Sequence, residues 1–255
     1  MDPGVPAPGG RCRSRAECCS CLLPRGNAVI DEPLLGPRPG VGESVVAVIA
    51  DIVGSRRHHD RHGAQQILDA AIDRVTADSG LALQPFRPTV GDEQQAVYPT
   101  IASALTSILL LRLILPNEVD CRFGVGIGAV TRIPTRDVSI PDGPAWWAAR
   151  AAIDRVHALQ DRTIPRARTW VVAHESANEV TADAVRWANA YLLARDELVA
   201  AMSDRTRRLV YGRFLSRTQA DLARSEGITQ SAVSQALSSA GASSLLEGLQ
   251  MFELT

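Results

Sequence analysis

The sequence predicts an α+β domain followed by an all-α segment. Three observations carry that prediction: an apolar run that starts abruptly at Ser44, strand and helix signals that alternate as far as His174, and only helical periodicity beyond Thr181. A segregated order of this kind divides the chain into residues 44–180, a connecting helix over 181–202, and a helical unit over 203–255. Residues 1–43 are rich in Pro, Gly and Arg and have no apolar period, so they are expected to be a disordered extension, or sequence upstream of a native start near Val41.

Each element has its own signal. Residues 44–50 are almost uninterruptedly apolar and end in Asp51, the pattern of a buried central strand. Ile67, Leu68, Ala71, Ile72 and Val75 recur at helical spacing, and Gly80 closes that helix. Two short strands, 82–88 and 93–98, flank Gly91-Asp92, which suits a tight hairpin turn. Residues 101–115 form the next helix, stopped by Pro116. In the strand over 122–130, Gly124, Gly126 and Gly128 share one face, so a ligand or a tightly packed helix must come close to the backbone there. A turn at 141–144 leads into a helix over 145–159, and 168–174 is the last strand.

Composition excludes some functions. A formal net charge of −1 removes any global attraction to nucleic acid, so a DNA contact needs a local patch. Such a patch is offered by Arg205, Arg207, Arg208, Arg213, Arg217 and Arg224, with Asp221 the one acid between the first and last of them; a solvated helical face is the plainer account. No run reaches the ~20 apolar residues of a membrane helix. The nearest, 101–115, is interrupted by Arg112, and the N-terminus lacks the apolar core of a secretory leader, so a cytoplasmic protein with no membrane partner is expected. Cys12, Cys18, Cys19 and Cys21 cluster without paired C-x2-C spacing or a nearby histidine, which argues against a zinc site.

The most specific pattern is residues 218–237. Two helices that cross steeply through a short turn need a small residue at their closest approach and a turn residue tolerant of positive φ; Ala223 and Gly227 supply them. Ile228 and Val233 plug the angle, Leu222 and Leu237 face the core, and Thr218 and Thr229 are placed as N-caps. The second helix turns Gln230, Ser231, Ser234 and Gln235 outward, short polar groups suited to base edges, with Thr229 at its start. Arg217 and Arg224 are placed to hold the phosphate backbone. With its outer helices the whole segment resembles the four-helix DNA-binding region of sigma factors, in motif and helix order.

The first domain carries acids at strand ends. Asp51 closes the first strand and Asp92 sits in the hairpin, so two carboxylates can converge as a Mg²⁺-nucleotide site requires; on spacing alone a loop-capping aspartate and a simple turn residue are the plainer account. Asp51-Ile52-Val53-Gly54-Ser55, Gly91-Asp92 and Arg122-Phe123-Gly124-Val125 resemble the metal-binding strand end, hairpin and following strand of class III nucleotide cyclases. That resemblance implies a ferredoxin-like, nucleotide-cyclase-like sheet-and-helix fold, metal ligands at Asp51 and Asp92, and nucleotide contacts at Gly54, Ser55 and Arg56. The cyclase pattern continues with an Asn and an Arg four residues apart; residues 143–150 contain no Asn, and Arg150 is out of step. Taken with Asp142-Gly143-Pro144-Ala145 and the Gln230–Gln235 helix, the motifs resemble the SatD family over residues 44–240. The expectation is a DNA-binding transcription regulator, homodimeric as helix-turn-helix proteins commonly are, with a domain that senses a nucleotide or metal. The alternatives are a Mg²⁺-dependent nucleotide-processing enzyme using Asp51 and Asp92, or an oligomerising scaffold.

Overall fold

The first apolar run is strand β1 (Ser44–Ile52), buried at every position but Ser44 and Asp51. A computed structural model describes residues 44–55, 60–89, 91–134, 139–175 and 179–252. The expectations for 1–43, including the cysteine cluster, and for Arg56 fall outside the described residues. Strands β2 (Gln84–Pro88), β3 (Gln94–Tyr98), β4 (Cys121–Ala129) and β7 (Thr169–Ala173) complete a five-stranded sheet of order β2-β3-β1-β4-β7. All neighbours are antiparallel except β4 and β7.

Because successive residues of a strand point to opposite faces, β1 serves two cores. Val46, Val48, Ala50 and Ile52 pack with Leu68 and Ile72 of α1 (Arg61–Ser79) and Leu105 and Leu109 of α2 (Ile101–Ile114). Val45, Ala47 and Ile49 pack instead with Ala145, Ala149 and Ile153 of α3 (Pro144–Arg162). The glycine face of β4 is explained by that second layer. A Cβ on Gly124 would lie 2.6 Å from the Ile153 amide nitrogen, and one on Gly128 would lie 2.9 Å from that of Ala145. Helix backbone, not a ligand, occupies the space.

Sequence punctuation sets the helix ends. Asp60 caps α1, and Gly80 ends it in the left-handed region at φ 59°. Thr100 and Ser103 form a reciprocal cap at the start of α2, whose interior is buried all round. Arg112 is the charged residue in that buried interior, and Asp196 of α4 (Glu179–Ala200) answers it at 2.5 Å. The same carboxylate accepts from Arg195 Nη2 at 2.9 Å and from the backbone N–H groups of Arg168 and Thr169 at 2.6 and 2.8 Å. Nearby, Asn189 exchanges both amide hydrogen bonds with Val171. Side chains of α4 thus satisfy the outer edge of β7, where backbone donors would otherwise be left unpaired.

The chain closes with α5 (Asp204–Phe214), α6 (Gln219–Glu226), α7 (Gln230–Ser239) and α8 (Ala242–Gln250). Leu209, Leu222, Val233, Leu237 and Leu245 belong to the same buried cluster as the α2 side of the sheet. The terminal helices therefore share the first domain's core, whereas a separate all-α body was expected. Tyr211 of α5 also donates to Asp78 of α1 at 2.7 Å.

One element goes beyond the sequence expectation. Strands β5 (Thr131–Pro134) and β6 (Ser139–Asp142) form a two-stranded ribbon. Its apolar residues Ile133 and Ile140 face each other in register and stay about half exposed, so there was no buried alternation to read. Asp196→Ala leaves two guanidinium groups buried without their carboxylate and is expected to cost about 3–5 kcal/mol in urea unfolding; a loss within 1 kcal/mol of zero would contradict that role.

Candidate nucleic-acid interface and the acid cluster of the sheet domain

Helices α6 and α7 meet at Gly227, whose φ of 65° lies in the left-handed region. The Ile228 amide donates back to the Ala223 carbonyl at 3.0 Å, which satisfies the end of α6 as the chain turns. Thr218 caps α6 by accepting from the Asp221 amide at 3.1 Å, and Thr229 caps α7 by accepting from the Ala232 amide at 3.2 Å. Leu222 and Ala223 of α6, and Val233 and Leu237 of α7, are buried. The remaining face of α7 is open: Gln230, Ser231, Ser234 and Gln235 are all exposed, as is Thr229, whose hydroxyl also meets that of Ser231 at 3.0 Å.

The arginine cluster differs from its appearance in the sequence. Arg205 and Arg208 both reach Glu226, at 3.8 and 2.8 Å. Arg207 pairs with Asp204 at 2.5 Å, and Arg224 with Asp221 at 2.5 Å. Asp204 and Glu226 lie just outside the stretch from Arg205 to Arg224, and Glu226 becomes a neighbour of Arg208 only when α6 folds back on α5. Arg217 is exposed in the α5–α6 connection, not on a helix, while Arg224 stands on α6 with 79% of its side chain exposed. An exposed pair like Arg224–Asp221 contributes little and is readily exchanged.

In the sheet domain, β1 and β4 place Asp51 directly opposite Arg122. Arg122 Nη1 donates to Asp51 Oδ2 at 3.1 Å, and His157 Nε2 of α3 lies 3.0 Å from the same oxygen. Arg122 Nε donates to Gln160, which fixes the guanidinium from the other side. Burial raises the Asp51 carboxyl above its ordinary value, against the opposing pull of Arg122 and His157. A second pair on the same face joins Glu93 to Arg150 at 2.7 Å. His157, Gln160 and Glu93 were missed by sequence reasoning; the recurrence of Arg150, His157 and Gln160 along one side of α3 was the available signal.

Asp92 belongs to a different space. With Ser55, Arg61, His62 and Gln65 it lines a cleft of about 220 Å³ at the start of α1. Gly91, at φ 75°, also lines it, and Gly54, at φ 69°, makes the turn just before Ser55. The structure thus brings Ser55 and Asp92 together and turns Asp51 toward α3. Mg²⁺ does not fit this arrangement: the Asp51 carboxylate is already held by the Arg122 guanidinium and the His157 ring, and no group of three or more His, Cys, Asp or Glu able to hold a metal exists among the described residues. Of the two aspartates expected to share a metal, Asp51 meets Arg122 and His157, and Asp92 lines the cleft at the start of α1. Within residues 143–150, Arg150 is engaged by Glu93 and the Trp147 indole donates to Asp142 at 3.0 Å.

A mixed sheet-and-helix domain joined to an open-faced helical pair defines the class of protein. The family model described as the SatD family matches residues 45–247, and the chain belongs to that family. No curated protein matches it. Among solved structures, it is similar to the guanylate cyclase domain of RhGC from Catenaria anguillulae in complex with GTP, at 21% identity over 44% of this chain and 72% of that one, with a TM-score of 0.36. It is also similar to the adenylyl cyclase CyaB from P. aeruginosa, at 11% identity over 48% and 82% of the two chains, TM-score 0.34. A third likeness is to adenylate cyclases from Trypanosoma brucei in their monomeric state, at 14% identity over 44% and 69%, TM-score 0.35. No helix among the described residues is long and apolar enough to cross a membrane.

A carboxyl with a raised pKa contributes stability that is present below the unfolded value and lost as pH rises through the folded one. Asp51 therefore weakens the fold across the interval between its unfolded and native titrations. In a carbon-detected NMR titration its midpoint is expected above that of an exposed aspartate, and higher still in Arg122→Gln, which removes a favourable cation. A midpoint that falls in the variant would refute the assignment.

Proposed function

We propose that this SatD-family chain is a DNA-binding transcription regulator that lays α7 in the major groove. The observation carrying the reading is the outward face of α7: four exposed polar side chains, Gln230, Ser231, Ser234 and Gln235, on a helix without an acidic residue, set at a left-handed glycine corner. Glutamine can pair with adenine through its two-sided amide, and serine can donate or accept at several base edges. Thr229, at the N-terminus of α7, stands where a recognition helix enters the groove. Arg217 and Arg224 are the residues assigned to phosphate, Arg224 by exchanging Asp221 for the backbone anion.

In this reading the sheet domain is the sensing part, and the cleft beside Gly54 and Ser55 takes a nucleotide effector by its phosphate end. Support comes from the cleft's lining, in which Arg61, His62 and Ser55 are all able to donate to an anion. At about 220 Å³ it falls short of the ~300 Å³ at which small-molecule pockets usually begin, which suits a phosphate group better than a whole nucleotide. A rise in melting temperature with ATP or GTP that vanishes in Arg61→Ala is expected; no shift with either would remove the sensing role and leave DNA binding untouched. Catalysis finds no such support, because both acid–base pairs of the α3 face are closed on themselves.

Fluorescence anisotropy with duplex fragments tests the main claim. Binding is expected at low salt and should fall steeply as salt is added. Gln230→Ala should lose about 5- to 150-fold at a selected site, the equivalent of 1–3 kcal/mol, and relax the preference at one base pair. Arg217→Ala should instead weaken all sequences alike and lower the salt slope by about one. Absence of binding to any duplex at low salt sinks the reading.

A further inference from the structure

We infer that α4 is a self-association helix, pairing antiparallel with α4 of a second copy of this chain. One side of the helix is fully engaged: Ala188, Leu192, Arg195, Asp196 and Val199 are buried against the sheet domain. The adjacent side, toward solvent, repeats apolar residues at alternating intervals of three and four: Ala184, Trp187, Tyr191, Ala194 and Leu198. Trp187 is 75% exposed and Leu198 38%, and Ala184 and Ala194 are exposed as well, while Tyr191 is half-buried against α8. An apolar seam with this 3.5-residue average spacing matches the surface of another helix, which can seat its own side chains between the repeats.

The flanking charges identify the occupant. Arg186 and Glu197 lie on the same flank of the seam, about three turns apart. In an antiparallel pair like flanks meet, so with Trp187 level with Leu198 of the partner subunit, Arg186 approaches Glu197 of the partner subunit, and the two-fold axis repeats the contact. A parallel pair would bring opposite flanks together, and the flank across the seam from Arg186 is buried at Ala188 and Arg195, with Tyr191 at that edge of the seam donating to the Leu245 carbonyl of α8 at 2.8 Å. The present partners of these charges, Asp183 for Arg186 and Arg166 for Glu197, form exposed pairs that exchange at little cost. Nothing in this proposal depends on DNA, and self-association is measured without it.

Sedimentation of the full chain at micromolar concentration, with circular dichroism as a check on folding, decides the matter. The wild type is expected to sediment at twice the monomer mass. Trp187→Glu should be monomeric, and Arg186→Glu should weaken the dimer at least tenfold. The double variant Arg186→Glu/Glu197→Arg should restore it, an outcome that a merely structural role for either residue does not produce. A monomeric wild type overturns the proposal and assigns the seam to a different protein; so does a dimer that survives Trp187→Glu, or a charge reversal that fails to rescue.

Discussion

The Asp196 carboxylate accepts from two guanidinium groups and two backbone amides in a place that water does not reach. Those four donors come from three different parts of the chain: the buried helix α2, the start of the edge strand β7, and α4 itself. A guanidinium in such surroundings is tolerable only with a well-placed anion, and burial alone already pulls Arg112 below its usual pKa. The geometry is therefore strict. It fixes how α4 lies along the sheet edge, and α4 leads directly into the helices that carry the exposed face of α7. Orientation of the terminal helices relative to the sheet follows from this junction and from the apolar core they share with α2.

A second constraint governs the opposite face. The glycines of β4 let α3 approach until its backbone rests on the strand, and that closeness brings His157 and Gln160 to Arg122 and Asp51, and Arg150 to Glu93. The strand-end acid Asp51 is thereby answered by Arg122 of β4 and His157 of α3, and Glu93 beside the hairpin by Arg150 of α3. The domain has the sheet and the acids that suggested a nucleotide site, yet the same packing that builds the sheet layer consumes one of those acids. The cleft at the start of α1 lies on the other face, where Ser55, Arg61 and Asp92 are grouped.

Much of this was legible in the residues. The central strand β1 has a continuous apolar signal, and Gly80, Pro116 and Gly227 mark chain turns for reasons intrinsic to glycine and proline. The α6–α7 corner was readable because its requirements are local: a small residue, a left-handed residue and two hydroxyl caps within twelve positions of one another. What could not be read depends on contacts distant in sequence. Glu226 neutralises Arg205 and Arg208 only after α6 folds onto α5, and His157 meets Asp51 only once α3 is seated. The ribbon of β5 and β6 escaped because its isoleucines are not buried. The shared core escaped because periodicity shows that a helix has an apolar face and does not show what covers it.

The account turns on whether α7 is the surface that meets DNA, and amide NMR of the full chain titrated with a duplex is the most direct measurement. The structure-based expectation is that the largest shifts fall on residues 229–235, with smaller ones around Arg217 and Arg224 and little change at β7 or the Asp51 cluster. Shifts centred on the sheet domain, with α7 undisturbed, would contradict it.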